Sequence, residues 1–217
     1  MTIKNSLVIA VPKGRILSEV KDLFNELEIE AESDFFAEDS RKIIFTTNKE
    51  KIKLLKVRSF DVANFVKFGG ADLGICGSDV LAEFSSSEIF VLLNLKIGKC
   101  KMVLAGKENN LDKINNASCI TIATKYPNIT SEYFSNKGIR AEIVKLNGAV
   151  EIAVALNLSE YIVDISSTGS SLIANNLNQL TVLNNVNSLL IANRHSFKVK
   201  NQEIVDIVNK LRAKFNE

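Results

Sequence analysis

Short apolar runs alternate with stretches of helical periodicity along almost the whole chain, and this pattern restricts the possible folds most. Residues 6–11 form an apolar run that stops at Pro12-Lys13-Gly14. Ile16, Leu17, Val20, Leu23, Phe24 and Leu27 then recur at the spacing of one helix face. Strands are expected at 43–45, 52–57, 72–76, 90–95, 101–105, 119–123, 141–146, 161–165, 181–186 and 189–192. In 52–57, lysines alternate with apolar residues as in a half-exposed strand. Ser59 and Ser78 are expected helix caps, with Gly69-Gly70 stopping the first of these helices. Pro127 suits a helix start and Gly138 its end. Further helices are expected over 149–156, from the loop after 165 through Leu177, and across Ile204, Val208, Leu211 and Phe215. The order predicts an α/β chain with mostly parallel sheet. Two adjacent strands around Gly98 break the alternation and suggest a boundary there.

A chain of 217 residues makes one generous domain or two small ones and buries a core without staples. Its net charge of +2 supplies no broad field for nucleic acid or an anionic membrane, so no partner of either kind is expected. Cys76, Cys100 and Cys119 are widely spaced, with no CxxC pair, and read as small core residues of a protein in a reducing compartment. His195 is the single histidine, which excludes any two-histidine metal centre, and it reads as a surface residue. No apolar run approaches the ~20 residues of a membrane span, and 7–11 is too short for a secretory core. A cytoplasmic location is expected.

The most informative stretch runs from Tyr161-Ile162-Val163 to Asp164 and on through Ile165-Ser166-Ser167-Thr168-Gly169-Ser170-Ser171-Leu172. An apolar strand delivers Asp164 to its carboxyl end, and hydroxyl residues then surround one glycine before an apolar helix. Helix-start N–H groups, hydroxyl donors and a glycine that admits close approach make a cradle for an anion. Open α/β sheets bind ligands at that end of their strands. A carboxylate beside such a cradle suits sugar hydroxyls or magnesium. The plain alternative is an ordinary loop with a serine cap and a solvated aspartate. Walker A and GxGxxG patterns are missing. Pro12-Lys13-Gly14-Arg15 puts two cations at a helix start, where they oppose the helix dipole unless an anion sits among them; solvated charge is the alternative. Arg41 and Arg58 read as surface charges flanking strands. Lys125-Tyr126-Pro127-Asn128 either closes a site or is a simple turn, and Glu151 suits an early helix position on dipole grounds alone.

Together, Val11-Pro12-Lys13-Gly14-Arg15, Ala71-Asp72-Leu73-Gly74-Ile75-Cys76-Gly77-Ser78-Asp79-Val80-Leu81, Ala123-Thr124-Lys125-Tyr126-Pro127-Asn128, Leu146-Asn147-Gly148-Ala149-Val150-Glu151 and the Asp164 stretch with Asn175 and Leu177 resemble the short-form ATP phosphoribosyltransferase family of histidine biosynthesis. The likeness runs over nearly the whole chain. It implies a two-lobed, periplasmic-binding-protein-like fold with the active site in the cleft, one lobe from 1–95 plus 188–217 and the other from 96–187. It implies joining of ATP to phosphoribosyl pyrophosphate, with Mg2+ carried on the substrate pyrophosphate and no metal held by protein ligands alone. By the same resemblance, Ser167, Thr168, Gly169, Ser170, Ser171 and Leu172 bind phosphoribosyl pyrophosphate, and Asp164 and Glu151 act near the ribose. Lys13, Gly14, Arg15 and Asp72 face the cleft and ATP, and Arg58 matches a basic residue that reaches a neighbouring subunit's site. The resemblance also implies a homodimer within a hetero-oligomer containing a regulatory subunit similar to histidyl-tRNA synthetase. Ser171 stands where threonine is usual, Ser166 replaces an aliphatic residue and Val154 replaces proline. The rival readings are a non-catalytic two-lobed protein that binds a small anion, and a catalytically dead scaffold subunit.

Overall fold

The computed structural model describes residues 6–37, 39–107 and 111–215. From the first of these the elements are β1 (Leu7–Pro12), α1 (Arg15–Glu26), β2 (Ile44–Thr46), β3 (Ile52–Val57), α2 (Ser59–Lys67), β4 (Leu73–Gly77), α3 (Ser78–Phe84) and β5 (Ile89–Asn94). The next stretch holds β6 (Cys100–Gly106), α4 (Leu111–Asn115), β7 (Cys119–Thr124), α5 (Pro127–Ser135), β8 (Arg140–Lys145), α6 (Ile152–Ala155), β9 (Tyr161–Ser166), α7 (Ser170–Ala174) and β10 (Asn178–Val186). Last come β11 (Ser188–Asn193), α8 (Arg194–Val199) and α9 (Asn201–Phe215). The chain divides into one unit of Met1–Gly98 with Asn187–Glu217 and a second of Lys99–Val186.

The first unit is a six-stranded sheet in the order β2-β3-β1-β4-β11-β5. Every residue of β1 is buried, as a strand covered on both faces requires. Ile9, Val11, Leu54 and Ile75 meet α1 and α9 on one face, while Val8, Ala10, Leu55 and Cys76 meet α2 and α3 on the other. The second unit is a five-stranded sheet in the order β10-β6-β9-β7-β8. Its α6–α7 face is packed with Val103, Ala105, Ala123, Ile162 and Leu172.

Both sheets are mixed, which corrects the expectation of a mostly parallel sheet. Four pairings among the described residues are parallel (β1 with β3 and β4, β7 with β8 and β9) and five are antiparallel. The antiparallel ones are the hairpin β2–β3, β11 with β4 and β5, and β6 with β9 and β10. Ser59 and Ser78 are first helical residues; Arg58 and Gly77 occupy the cap positions. The expected helix over 149–156 contracts to α6, after Ala149 takes φ +49°. The helix expected to reach Leu177 ends at Ala174, because Asn176 turns left-handed (φ +55°) and β10 begins at Asn178. Cys119 is exposed, not a core residue, whereas Cys76 and Cys100 are buried.

Candidate active site

In the second unit, β9 lies between antiparallel β6 and parallel β7, so its carboxyl end sits beside that of β7. Thr124, fully buried at the end of β7, fastens the two together. Its Oγ1 donates to the Val163 carbonyl at 2.7 Å and accepts the Tyr126 N–H at 2.9 Å. The residue after Val163 is Asp164, half-buried, with Oδ1 accepting the Ile165 N–H at 2.8 Å. Ser167 and Thr168 are exposed, and Gly169 turns the chain with φ +79° as the cap of α7. That left-handed conformation favours glycine, and the absence of a side chain leaves the turn open on its outer side. Thr168 Oγ1 donates to Ser170 Oγ at 3.0 Å, and the Ser170 N–H lies 3.4 Å from Thr168 Oγ1. The N–H groups of Ser170, Ser171 and Leu172 belong to a first helical turn and lack intrahelical acceptors.

Leu172 closes the expected loop at its helical end. It is 6% exposed and packs into the core, so only its backbone N–H is positioned for an anion. Glu151 caps α6, which lies over the same sheet face as α7. Asp164 belongs to that face too, since it alternates with Ile162. The expected ribose residues and the cradle therefore share one face of the second sheet.

In the first unit, Lys13, Gly14 and Arg15 come together in a cavity of about 810 Å³, with Lys21, Lys56, Ser33 and Phe36 among the other lining residues. Gly14 (φ +90°) caps α1, whose first turn carries no acidic residue. An anion at that helix start is favoured by the dipole and by the cations. Lys56 is a lining residue that the sequence reading missed. Expected on a half-exposed strand, it is 2% exposed, and its Nζ donates to the carbonyls of Phe35 (2.7 Å) and Ala37 (2.9 Å). Burial first, and then the charge of Lys13, lowers its pKa, while Asp34 and Asp39 pull the other way. The signal was in the strand period: Lys53 and Lys56 fall on opposite faces of β3, so they cannot both face solvent.

Asp72 and Arg58 do not join this cavity among its described lining residues. The Asp72 carboxylate is a buried fastening. Oδ2 accepts the Val8 N–H at 2.8 Å and Lys200 Nζ at 2.7 Å, tying β1 to the start of α9. Arg58 is an exposed residue capping α2. Arg15 has a second engagement, donating Nη2 to the Gly98 carbonyl at 3.2 Å. His195 is exposed on α8, as expected.

A cation-lined cavity in one unit, and a cradle of hydroxyls and amides beside a carboxylate in the other, are the equipment of a protein that handles phosphorylated small molecules. The family model HisG: ATP phosphoribosyltransferase matches residues 58–213. An ATP phosphoribosyltransferase of Sphingopyxis alaskensis is 45% identical over 206 residues, which is 95% of this chain and 92% of that protein. Among solved structures, the ATP phosphoribosyl transferase (HisG:HisZ) complex from Thermotoga maritima matches with TM-score 0.78 at 31% identity, over 95% of this chain and 97% of that one. The substrate binding protein of an amino acid ABC transporter matches with TM-score 0.59 over 97% of this chain and 93% of that one; at 11% identity it shows the shared fold alone. The fold is thus of the two-lobed, binding-protein-like α/β type, and the chain belongs to the ATP phosphoribosyltransferase family.

Proposed function

We propose that this chain catalyses the first step of histidine biosynthesis, joining N1 of the ATP adenine to the anomeric carbon of phosphoribosyl pyrophosphate. The carbon–oxygen bond to pyrophosphate breaks as the carbon–nitrogen bond forms, giving phosphoribosyl-ATP and pyrophosphate. The observation that carries the reading is the turn after β9, where Asp164 is followed by hydroxyls, a left-handed glycine and helix-start amides without intrahelical acceptors. Ser167, Thr168, Gly169, Ser170 and Ser171, with the Leu172 N–H, hold the sugar phosphate, while Asp164 and Glu151 orient the ribose. Lys13, Gly14 and Arg15 attract the ATP phosphates; Lys56 shapes the wall of that cavity through residues Phe35 and Ala37. Asp72 we assign to stability rather than to ATP.

No covalent nucleophile is required. The protein's share is to stabilise charge on the leaving group, to align electrophile with nucleophile and to keep water away. Asp164 and Glu151 are hard oxygen donors of the kind magnesium prefers, so they fit Mg2+ arriving on the substrate pyrophosphate. The ion would there neutralise departing charge.

Among the described residues no helix is long and apolar enough to cross a membrane; we place this biosynthetic enzyme in the cytoplasm. The Thermotoga maritima complex contains HisZ beside HisG, which supports a hetero-oligomer with a regulatory subunit for this chain; that it is built on a homodimer is our proposal from the family resemblance.

Incubation with ATP, phosphoribosyl pyrophosphate and Mg2+, alone and with the regulatory partner, should produce the near-ultraviolet absorbance of the adduct. Tight binding of phosphoribosyl pyrophosphate with no turnover in either arrangement would instead identify a binding protein. Thr168→Ala should lower kcat/KM for phosphoribosyl pyrophosphate by roughly ten- to a hundredfold, the worth of one hydrogen bond to a charged group.

A further inference from the structure

The cradle formed by residues 167–172 contains no cation, and the two acids on the same sheet face, Asp164 and Glu151, are negative. The Mg2+ that these carboxylates suit travels on the pyrophosphate, so the sugar phosphate held by the cradle meets only hydroxyls and amides. Electroneutrality calls for a positive side chain at the same edge of the sheet.

Strand register supplies one. In the antiparallel pairing of β6 with β9, Lys101 lies opposite Ser166 and Val103 opposite Asp164. Residues directly opposite share a face, with Cβ atoms about 4.5–5.5 Å apart, and residues two apart on one strand share it too. Lys101 therefore belongs to the face that carries Ser166, Asp164 and α7, beside the point where the chain leaves β9 for Ser167 and Thr168. Two residues span at most about 7 Å of chain, within the compass of a flexible four-carbon stem. Lys101 is exposed, and among the described residues its ammonium makes no hydrogen bond or ion pair. No internal fastening explains a cation there. On the other flank of β9, Lys125 follows Thr124, which lies opposite Val163 in the parallel register.

We propose that Lys101 is a further substrate-binding residue of the phosphoribosyl pyrophosphate site, its ammonium pairing with a phosphoryl group held by the cradle. This rests on the transferase reading and adds to it the positive charge that the hydroxyl-and-amide turn lacks. The residue acts on binding of one substrate, not on ATP.

The test compares the full chain carrying Lys101→Met or Lys101→Arg with the unaltered chain, in the assembly with the regulatory partner. Lys101→Met should raise KM for phosphoribosyl pyrophosphate by roughly tenfold or more, leave KM for ATP within about twofold, and be rescued by Lys101→Arg. Calorimetric titration with magnesium phosphoribosyl pyrophosphate should show the same loss without reliance on turnover. A Lys101→Met chain that binds this substrate as the unaltered chain does overturns the proposal, as does an equal rise in both KM values. Turnover by the unaltered chain tests the transferase reading separately.

Discussion

Lys56 shows how one side chain can hold a site's wall and charge the molecule for it. Its ammonium is out of water between two carbonyls and over the Phe45 ring at 4.9 Å, with Lys13 lining the same cavity. Its pKa is lowered from 10.5, so between the folded value and 10.5 the unfolded chain binds more protons than the folded one. Stability from this group therefore rises with pH across that window and is lowest below it. Lys56→Met should abolish that rise, measured by urea unfolding at neutral and alkaline pH. At neutral pH it should also cost about 1.5–3 kcal/mol through the abandoned carbonyls. Thr124 makes the opposite kind of contribution, neutral and fully satisfied. Thr124→Val keeps the shape but strands the Val163 carbonyl and the Tyr126 N–H, so it should cost about 1–3 kcal/mol, while Thr124→Ser retains most of the stability. Thermal unfolding of the three proteins checks this.

At the scale of elements, what the sequence made legible was whatever is encoded by local period. The strand that carries Asp164, the helix that follows Gly169 and the helix behind Arg15 are all written in runs of neighbours. The element the sequence did not disclose most clearly is α8, which exists because Asn193 caps it. The Asn193 Oδ1 accepts the Ser196 N–H at 2.9 Å, and Nδ2 donates to the distant Val66 carbonyl at 2.8 Å. Half of that anchoring lies 127 residues away, outside any local window. Strand direction was hidden for a similar reason: β11 reads as apolar like its neighbours, and nothing in its composition says that it enters antiparallel between β4 and β5. Position within a strand also decides thiol chemistry. Cys76, inside β4, has its thiol pKa pushed up by burial and then by Asp79, while Cys119 sits exposed at the start of β7. A maleimide at neutral pH should label Cys119 quickly and Cys76 only on unfolding, as peptide mapping by mass spectrometry would read.

For the molecule as a whole, the decisive feature is the pair of points where the chain passes between its two units. Each is pinned on the first unit. Gly98 donates its N–H to Glu19 Oε2 at 2.9 Å and accepts from Arg15, so both of its backbone groups are held by α1. Asn187 exchanges two hydrogen bonds with Ser78, at 2.8 and 3.2 Å. At Gly98 φ is +64°, and a methyl group there would come within 2.6 Å of Ser188 Oγ. Gly98→Ala should therefore destabilise the first unit by roughly 1–3 kcal/mol, seen as a lower midpoint in denaturant. Because the second unit is one unbroken stretch while the first draws β11 and α9 from beyond it, the order of birth on the ribosome is inverted. The middle of the polypeptide has everything it needs to fold while the opening segment still waits for a central strand that has yet to be translated.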